Sequence, residues 1–250
     1  MELDSLIENI KKNFLELNIL SNKADVRIVV GLSGGADSIL LYYVLKKISE
    51  DLSLDIIPVH INHLIRDSSN QESQKLFSYL KNNFHQRLYV LSVNVPKIAK
   101  KNKCSLEEAG RSVRYLLLKN IANIKKAQYI ALGHNLDDNV ETVIFRMCRG
   151  TGIDGLKVMT FVEGNIIRPL IDIRKEIIYE IVRKIGLIYI EDQTNVCLKF
   201  TRNRIRHKVL PELVKVNEKS LEHIGKLAKD ARDLSNYIET QVKELIRKEL

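Results

Sequence analysis

Cysteine is scarce in this chain of 250 residues, and the three that occur, Cys104, Cys148 and Cys197, lie far apart. No CxxC pair is present, which argues against a disulfide framework and against a zinc or iron–sulfur site. Long apolar runs are also lacking, and the acidic N-terminus does not resemble the basic start of a signal peptide. Apolar residues make up 45% of the chain and charged residues 28%, as in ordinary globular proteins. We therefore predict a cytoplasmic protein with no membrane partner.

Acidic residues are nearly absent from one stretch of the chain. Residues 73–136 contain twelve lysines and arginines but only two acids, Glu107 and Glu108, in a chain whose net charge is +9. Residues 199–250 add thirteen basic and eight acidic residues. Positive charge concentrated in this way attracts polyanions and speeds their encounter. The distribution indicates either a nucleic-acid-binding surface or a solvated lysine-rich surface, and charge alone does not decide between them.

Apolar runs typical of buried strands alternate with amphipathic stretches in the first part of the chain. They predict strands at 26–30, 54–60, 88–93 and 129–132, with helices at 37–48, 71–83, 105–124 and 137–149. Ser105 and Glu108 form a capping-box pattern at the start of the third of these helices. This alternation implies βαβ units and an α/β fold with a doubly wound, mostly parallel sheet. Ligands of such sheets bind at the carboxyl ends of the strands, near the switch point.

The remaining segments are predicted to flank this sheet. Apolar residues from Leu6 to Leu17 recur at helical spacing and indicate an N-terminal amphipathic helix. Further on, the sequence predicts a hairpin at 161–167, a helix from an Asp172 cap to Gly186, and a charged helical end, starting near Arg202, that Pro211 breaks.

A glycine-rich loop follows the first predicted strand. Its residues are Ser33, Gly34, Gly35, Ala36, Asp37 and Ser38. The glycines allow the backbone to turn tightly, and the helix that follows directs its free N–H groups and positive dipole end at the same place. The loop has neither the Gly-Lys-Ser/Thr of a Walker A motif nor the GxGxxG spacing of dinucleotide-binding proteins. Its strand–loop–helix context favours a pyrophosphate cradle over a simple capped turn.

Acidic residues cluster after the fourth predicted strand. His134, Asp137 and Asp138 lie at the start of a helix, and Glu141 follows one turn later on the same face. Such carboxylates could bind Mg²⁺ or an amine, whereas two acids at a helix start often serve only as caps. Because this cluster and the glycine loop are expected at the same edge of the sheet, we favour a functional role.

Histidines and arginines supply further candidates. His60 and His63 form an HxxH pattern, but no third ligand has a suitable spacing, so a zinc site is disfavoured. Arg111 and Arg114 are one helical turn apart and present two fork-shaped cations that suit phosphates. For each arginine taken alone, a solvated surface position is the more common situation.

A second arginine group lies near the C-terminal end. Arg202, Arg204 and Arg206 alternate in a stretch that contains no acid from Lys199 to Lys208. On a helix, Arg202 and Arg206 would share a face. The stretch is either a polyanion-binding element or a solvated surface.

Together these segments resemble the tRNA(Ile)-lysidine synthases, which belong to the PP-loop ATP pyrophosphatases. The family pattern runs SGGxDS, HxNHxxR, ExxxRxxRY, GHxxDDxxET with RGxGxxGL, RPL, EDxTN and RNxIR. The chain carries these motifs in this order at 33–38, 60–66, 107–115, 133–156, 168–170, 191–195 and 202–206. Gly110 departs from the pattern, because alanine is usual before the first arginine.

The resemblance implies a Rossmann-like fold of the adenine nucleotide alpha hydrolase type. A PP-loop catalytic domain would cover residues 1–212. Residues 213–250 would form a helical extension that could begin a reduced or truncated tRNA-binding domain. The sequence leaves a homodimer open.

The resemblance also implies a reaction. ATP would bind at Ser33–Ser38 with Mg²⁺ held by Asp37, and the C2 oxygen of the wobble cytidine of tRNA(Ile) with a CAU anticodon would attack the α-phosphate. Free L-lysine, held by Asp138 and Glu141, would then displace AMP and give lysidine, which decodes AUA. Catalytic roles would fall to Asp37, Arg111, Arg114, His134, Asp138 and Glu141, and contacts with tRNA to Arg202, Arg204 and Arg206.

Two rival functions remain open from the sequence. Other PP-loop enzymes share SGGxDS, but the tRNA 2-thiocytidine enzymes use CxxC pairs for an iron–sulfur cluster, and the amide-forming synthetases do not combine DDxxET with a basic RNxIR block. A non-catalytic RNA-binding module with the same fold is the second rival. The intact Asp37, Asp138 and Glu141 argue against it.

Overall fold

A computed structural model of the chain describes residues 1–17, 19, 26–66, 68–190 and 201–249. Its elements, in chain order, are α1 (Leu3–Glu16), β1 (Val26–Gly31), α2 (Ala36–Asp51), β2 (Leu54–Asn62), α3 (Ser69–Phe84), β3 (Tyr89–Ser92), α4 (Val95–Asn102), α5 (Leu106–Lys125), β4 (Tyr129–Ala131), α6 (Leu136–Cys148), α7 (Ile153–Leu156), β5 (Val162–Glu163), β6 (Ile166–Ile167), α8 (Lys175–Lys184), α9 (Thr201–Arg204), a π-helical segment (Ile205–Val209), α10 (Leu210–Val216) and α11 (Ser220–Glu249). Within this described part, no helix is both long and apolar enough to cross a membrane.

The strands of the described residues form one sheet in the order β3-β2-β1-β4-β6-β5. β1 pairs in parallel with β2 on one side and with β4 on the other, and β4 pairs in parallel with β6. β5 runs antiparallel to β6, which confirms the predicted hairpin. The predicted α/β fold with a mostly parallel sheet is therefore confirmed. Chain order reverses on the two sides of β1, so the carboxyl end of β1 lies at a switch point.

Burial of apolar side chains fixes the central strand and the helix after it. Ile28, Val29 and Val30 of β1 are 0% exposed, as expected for a parallel strand covered on both faces. Helix α2 also contributes fully buried side chains, among them Leu40 and Leu41. The loop between β1 and α2 is thus anchored at both ends by buried structure.

The described residues divide into two compact units. As far as these ranges are described, the first contains Met1–Gly133, Phe161–Pro169 and Glu176–Glu191, and the second contains His134–Thr160, Leu170–Lys175 and Asp192–Leu250. The sheet belongs to the first unit. In the second, α6 packs with the C-terminal helices through an apolar cluster of Leu136, Val140, Ile205, Leu210 and Leu221. The predicted division into residues 1–212 and 213–250 stays a prediction.

Two helix boundaries differ from those predicted. Pro211 does not break the C-terminal segment, because α9, the π-helical segment and α10 continue without interruption to Val216. Pro211 is the second residue of α10, which directly follows the π-helical segment, where the regular i→i−4 hydrogen-bond ladder is already interrupted. The helix predicted from Asp172 begins instead at Lys175, whose backbone N–H donates to Asp137 Oδ2 at 2.9 Å.

Candidate functional site

The glycine-rich loop adopts a conformation that its sequence dictates. Gly34 has a φ of +93°, a backbone conformation that residues with a side chain rarely adopt. A Cβ atom at Gly34 would also lie 3.1 Å from Cδ1 of Ile190. The backbone N–H of Ile190 donates to the Gly34 carbonyl at 2.9 Å. Glycine is therefore required at this position for both conformation and packing.

Two serine hydroxyls hold the loop together. Ser38 Oγ accepts a hydrogen bond from the Gly34 N–H at 3.1 Å and donates to the Gly35 carbonyl at 2.9 Å. Ser33 Oγ accepts from the Gly35 N–H at 3.3 Å. The N-cap of α2 is Gly35, which has no side chain to cap the helix. The loop amides and the positive end of α2 thus form a backbone site of the kind that binds phosphate.

Gly133, two residues after the end of β4, packs directly against the start of α2. A Cβ atom at Gly133 would lie 3.1 Å from the carbonyl carbon of Asp37 and 3.1 Å from the nitrogen of Ser38. Both are backbone atoms, which cannot move aside as a flexible side chain can. The absence of a side chain at Gly133 therefore sets how closely β4 approaches the loop.

His60 has a structural role. Its Nδ1 donates to the carbonyl of Leu32 at 2.7 Å, and its Nε2 lies 3.0 Å from Ser73 Oγ. The ring thus ties the end of β2 to the residue before the loop. Among the described residues, no group of three or more His, Cys, Asp or Glu side chains could hold a metal ion.

His63 is half-buried beside α5. Burial, with a smaller contribution from the nearby Arg114 guanidinium, lowers the pKa of His63 to about 4. Gly110 faces the same ring, and a Cβ there would lie 3.0 Å from His63 Nδ1. The imidazole is therefore neutral near pH 7, beside the positive charge of Arg114, and glycine at position 110 leaves room for the ring.

The lowered pKa of His63 predicts a pH-dependent stability. The unfolded chain takes up this proton near 6.5 and the folded chain only near 4. The unfolded state therefore binds more protons between these values, and stability falls as the pH drops from 6.5 to 4. We expect His63 to account for about 1–3 kcal/mol of this loss.

Urea unfolding of the wild type and of His63→Gln across this pH range measures the effect. His63→Gln should flatten the slope in part, since burial also lowers the pKa of His60. The exposed His223, replaced by glutamine, controls for the loss of a histidine. Equal slopes for the wild type and His63→Gln would contradict the prediction.

Arg111 and Arg114 lie exposed on α5. The guanidinium of Arg111 stacks on the ring of Tyr115 at 5.2 Å, and its Nη2 lies 3.4 Å from the Tyr115 hydroxyl. Stacking restricts the guanidinium without using all of its N–H donors. Their catalytic assignment stays a prediction.

The two aspartates at the start of α6 have different roles. Asp138 forms a reciprocal capping box with Asn135, with bonds of 3.0 and 3.1 Å. Asp137 accepts from the Lys175 N–H and lies 3.6 Å from Nε of Arg174. Asp137 is therefore a structural residue, while Asp138 has a second oxygen that takes part in another interaction.

That second interaction is an ion pair with Arg206, which also engages Glu141. Nε and Nη2 of Arg206 lie 2.5 and 2.9 Å from the two Glu141 oxygens, and Nη2 lies 3.2 Å from Asp138 Oδ1. Glu141 is only 3% exposed. Burial raises the pKa of the Glu141 carboxyl, and Arg206 opposes that shift. Asp138 and Glu141 thus form a cation site, and Arg206 fills it.

The other predicted residues near the C-terminal segment lie in different surroundings. Arg202 stacks over the ring of Phe145 at 5.9 Å, whereas Arg204 is exposed. His134 is half-buried immediately before the N-cap of α6. The EDxTN motif at 191–195 lies outside the described residues. The structure thus brings Arg206 onto the two carboxylates.

Comparison with known proteins shows the family of the chain. Residues 6–213 match the PP-loop domain family. The chain is 36% identical over 249 residues to a tRNA(Ile)-lysidine synthase of Clostridioides difficile, covering 99% of this chain and 53% of that protein. It is 34% identical over 218 residues to one of Pseudothermotoga lettingae, covering 87% of this chain and 48% of the relative. The chain thus spans about half the length of these curated relatives.

A solved structure supports the fold. The U34-tRNA thiolase NcsA from Methanococcus maripaludis, with its [4Fe-4S] cluster, superimposes with a TM-score of 0.74 at 18% identity. The superposition covers 91% of this chain and 78% of that one. At this identity the likeness concerns the fold alone.

Proposed function

The chain belongs to the PP-loop domain family, and from this premise we propose that it ligates L-lysine to C2 of the wobble cytidine of tRNA(Ile) with a CAU anticodon. The reaction consumes ATP and gives AMP, pyrophosphate and lysidine. The proposal rests on one observation: the carboxylates of Asp138 and Glu141 already bind a cationic nitrogen group, the guanidinium of Arg206. An alkylammonium ion such as the lysine side chain has the same charge and donor chemistry.

The first step activates the cytidine. Its C2 oxygen attacks the α-phosphorus of ATP, and pyrophosphate leaves. The amides of Gly34 and Gly35 and the positive end of α2 would stabilise the charge that develops on the leaving group. For this, Ser33 and Ser38 would have to share their present amide partners with phosphate oxygens. Arg111 and Arg114 would offset charge at the α-phosphate.

The implied Mg²⁺ fits the chain through a single carboxylate. Mg²⁺ bound with a nucleotide is usually held by one or two carboxylates together with phosphate oxygens and water. Asp37 lies in the first turn of α2 and would supply that carboxylate. When bound, the ion would offset negative charge on the triphosphate.

The second step transfers the amine. The lysine nitrogen attacks C2, the C2–O bond breaks, and AMP leaves with the oxygen. The nucleophile must be neutral, so its ammonium proton must first be accepted. Glu141 is suited to this because burial raises its pKa, and Asp138 would orient the nitrogen. His134 would position the nucleotide, and Arg202, Arg204 and Arg206 would contact the RNA.

Incorporation of labelled lysine tests the proposal. The full chain is incubated with ATP, Mg²⁺, radiolabelled L-lysine and a tRNA(Ile) transcript carrying CAU. We expect label in the RNA, and none when the wobble cytidine is replaced by uridine. Absence of label from the cytidine transcript, or label that does not depend on ATP, would contradict the proposal.

A further inference from the structure

Arg206 occupies the position where the proposed function requires the amine. Its guanidinium spans both carboxylates, with three contacts of 2.5, 2.9 and 3.2 Å to Glu141 and Asp138. A bidentate contact to one carboxylate and a single contact to the next is among the strongest arrangements of charged hydrogen bonds. An incoming ammonium group would meet a site whose acceptors are already engaged.

Burial makes it costly in free energy for these carboxylates to lack a cationic partner. The Glu141 side chain is 4% exposed, and an ionised carboxylate at such a depth is costly without a partner. The Arg206 side chain is 24% exposed, so part of it reaches solvent. The guanidinium should leave only when another cation replaces it, or when another anion competes for it.

The backbone around Arg206 would permit such an exchange. Arg206 lies in the π-helical turn Ile205–Val209, an irregularity often found at functional positions. Ile205 and Leu210, on either side of it, are 5% exposed and belong to the apolar cluster under α6. The backbone is thus anchored around Arg206, so the side chain could rotate without moving the helix.

The surroundings also point to the competing anion. Arg206 lies in the basic stretch 199–208, which contains no acid. Its five lysines and arginines are Lys199, Arg202, Arg204, Arg206 and Lys208. Such a stretch attracts phosphates, and arginine binds phosphate with the same fork that it uses for carboxylate.

We propose that Arg206 is a tethered occupant of the amine site that RNA phosphate draws away, so that amine binding is coupled to RNA binding. This inference rests on the proposed function for the identity of the two ligands. The competition itself does not depend on that identity. Any alkylammonium ion competes with Arg206 for the two carboxylates, and any ligand that removes Arg206 from them strengthens binding of the ammonium ion. By linkage, amine binding also strengthens RNA binding by the same factor.

Alkylammonium binding to the full chain, without ATP, tests the inference. The probe is n-butylammonium, titrated by NMR at about pH 8 to keep Glu141 ionised. We expect Arg206→Gln to bind the probe about tenfold more tightly than the wild type. Arg206→Lys, which keeps a charge but cannot form the fork, should lie between them. Lys208→Gln removes a charge from the same turn and should match the wild type.

Addition of an anticodon stem-loop RNA with CAU completes the test. The RNA should tighten butylammonium binding to the wild type about tenfold and leave Arg206→Gln unchanged. Equal or weaker binding by Arg206→Gln without RNA, with native circular dichroism, would overturn the inference, as would equal tightening of both proteins by RNA. If Arg206→Gln does not fold, Arg206→Lys takes its place in the test. An affinity of Arg206→Lys for butylammonium no higher than that of the wild type overturns the inference.

The two experiments distinguish a failure of the proposed function from a failure of the coupling through Arg206. If butylammonium behaves as expected but labelled lysine never enters tRNA, the proposed function is wrong and the occupancy by Arg206 stands. If lysine enters tRNA but Arg206→Gln gives no tighter binding, the function stands and the coupling is wrong.

Discussion

Replacing Glu141 with glutamine should leave ATP activation in place and slow transfer of the amine by about 100- to 1000-fold. Glutamine keeps the size of the side chain and one oxygen that can accept from Arg206, so the packing at this buried position is preserved. It cannot accept the ammonium proton, and its missing charge weakens the cation site. Rapid-quench measurement of pyrophosphate release and of lysine transfer, followed separately, distinguishes the two steps.

Asp137→Asn is the matched control for this prediction. It removes one negative charge from the same helix, but Asp137 is engaged with the Lys175 N–H and Arg174. We expect it to lower thermal stability and to leave the transfer step within a few-fold of wild type. Transfer by Glu141→Gln at a near wild-type rate, or an equal loss in both variants, would contradict the assignment of Glu141 as the base.

Replacing Gly133 with alanine should reduce ATP cleavage by about 100-fold, although Gly133 has no functional group. The added Cβ would lie 3.1 Å from the backbone at Asp37 and Ser38. Relief of this contact requires β4 or the start of α2 to shift, which displaces the loop amides. Overpacking of this kind should also lower the free energy of unfolding by about 1–3 kcal/mol.

Gly152→Ala is the control for the added methyl group. Gly152 has a φ of −85°, and a Cβ there would meet nothing within 4 Å. We expect its free energy of unfolding in urea to stay within about 0.5 kcal/mol of wild type. If Gly133→Ala cleaves ATP at the wild-type rate, the close packing of β4 on the loop does not determine the loop's activity.

The sequence predicts those parts of the fold that depend on local chemistry. The apolar run at 26–30 gave β1, and Ser105 is indeed the N-cap of α5, with its Oγ 3.1 Å from the Glu108 nitrogen. Helix α4 was missed although it carries a local signal: Asn94 caps it by accepting from the Lys97 N–H at 2.9 Å, and Pro96 lies in its first turn.

Contacts between distant segments could not be predicted from the sequence. Arg206 and Glu141 are separated by 65 positions, and each alone fits another assignment, Arg206 as an RNA ligand and Glu141 as an amine ligand. The start of α8 depends in the same way on Asp137, which is 38 positions away. Capping by a distant side chain leaves no signal in the sequence next to the helix, so the local sequence favours Asp172 as the N-cap.

The central claim is that the loop Ser33–Ser38 holds the β and γ phosphates while the α-phosphorus of ATP is attacked. The most direct test follows α-labelled ATP by chromatography in the presence of the full chain, Mg²⁺, L-lysine and the CAU tRNA. We predict AMP as the labelled product, in a one-to-one ratio with the lysine that enters the RNA. Labelled ADP, or ATP that stays intact, would contradict the claim.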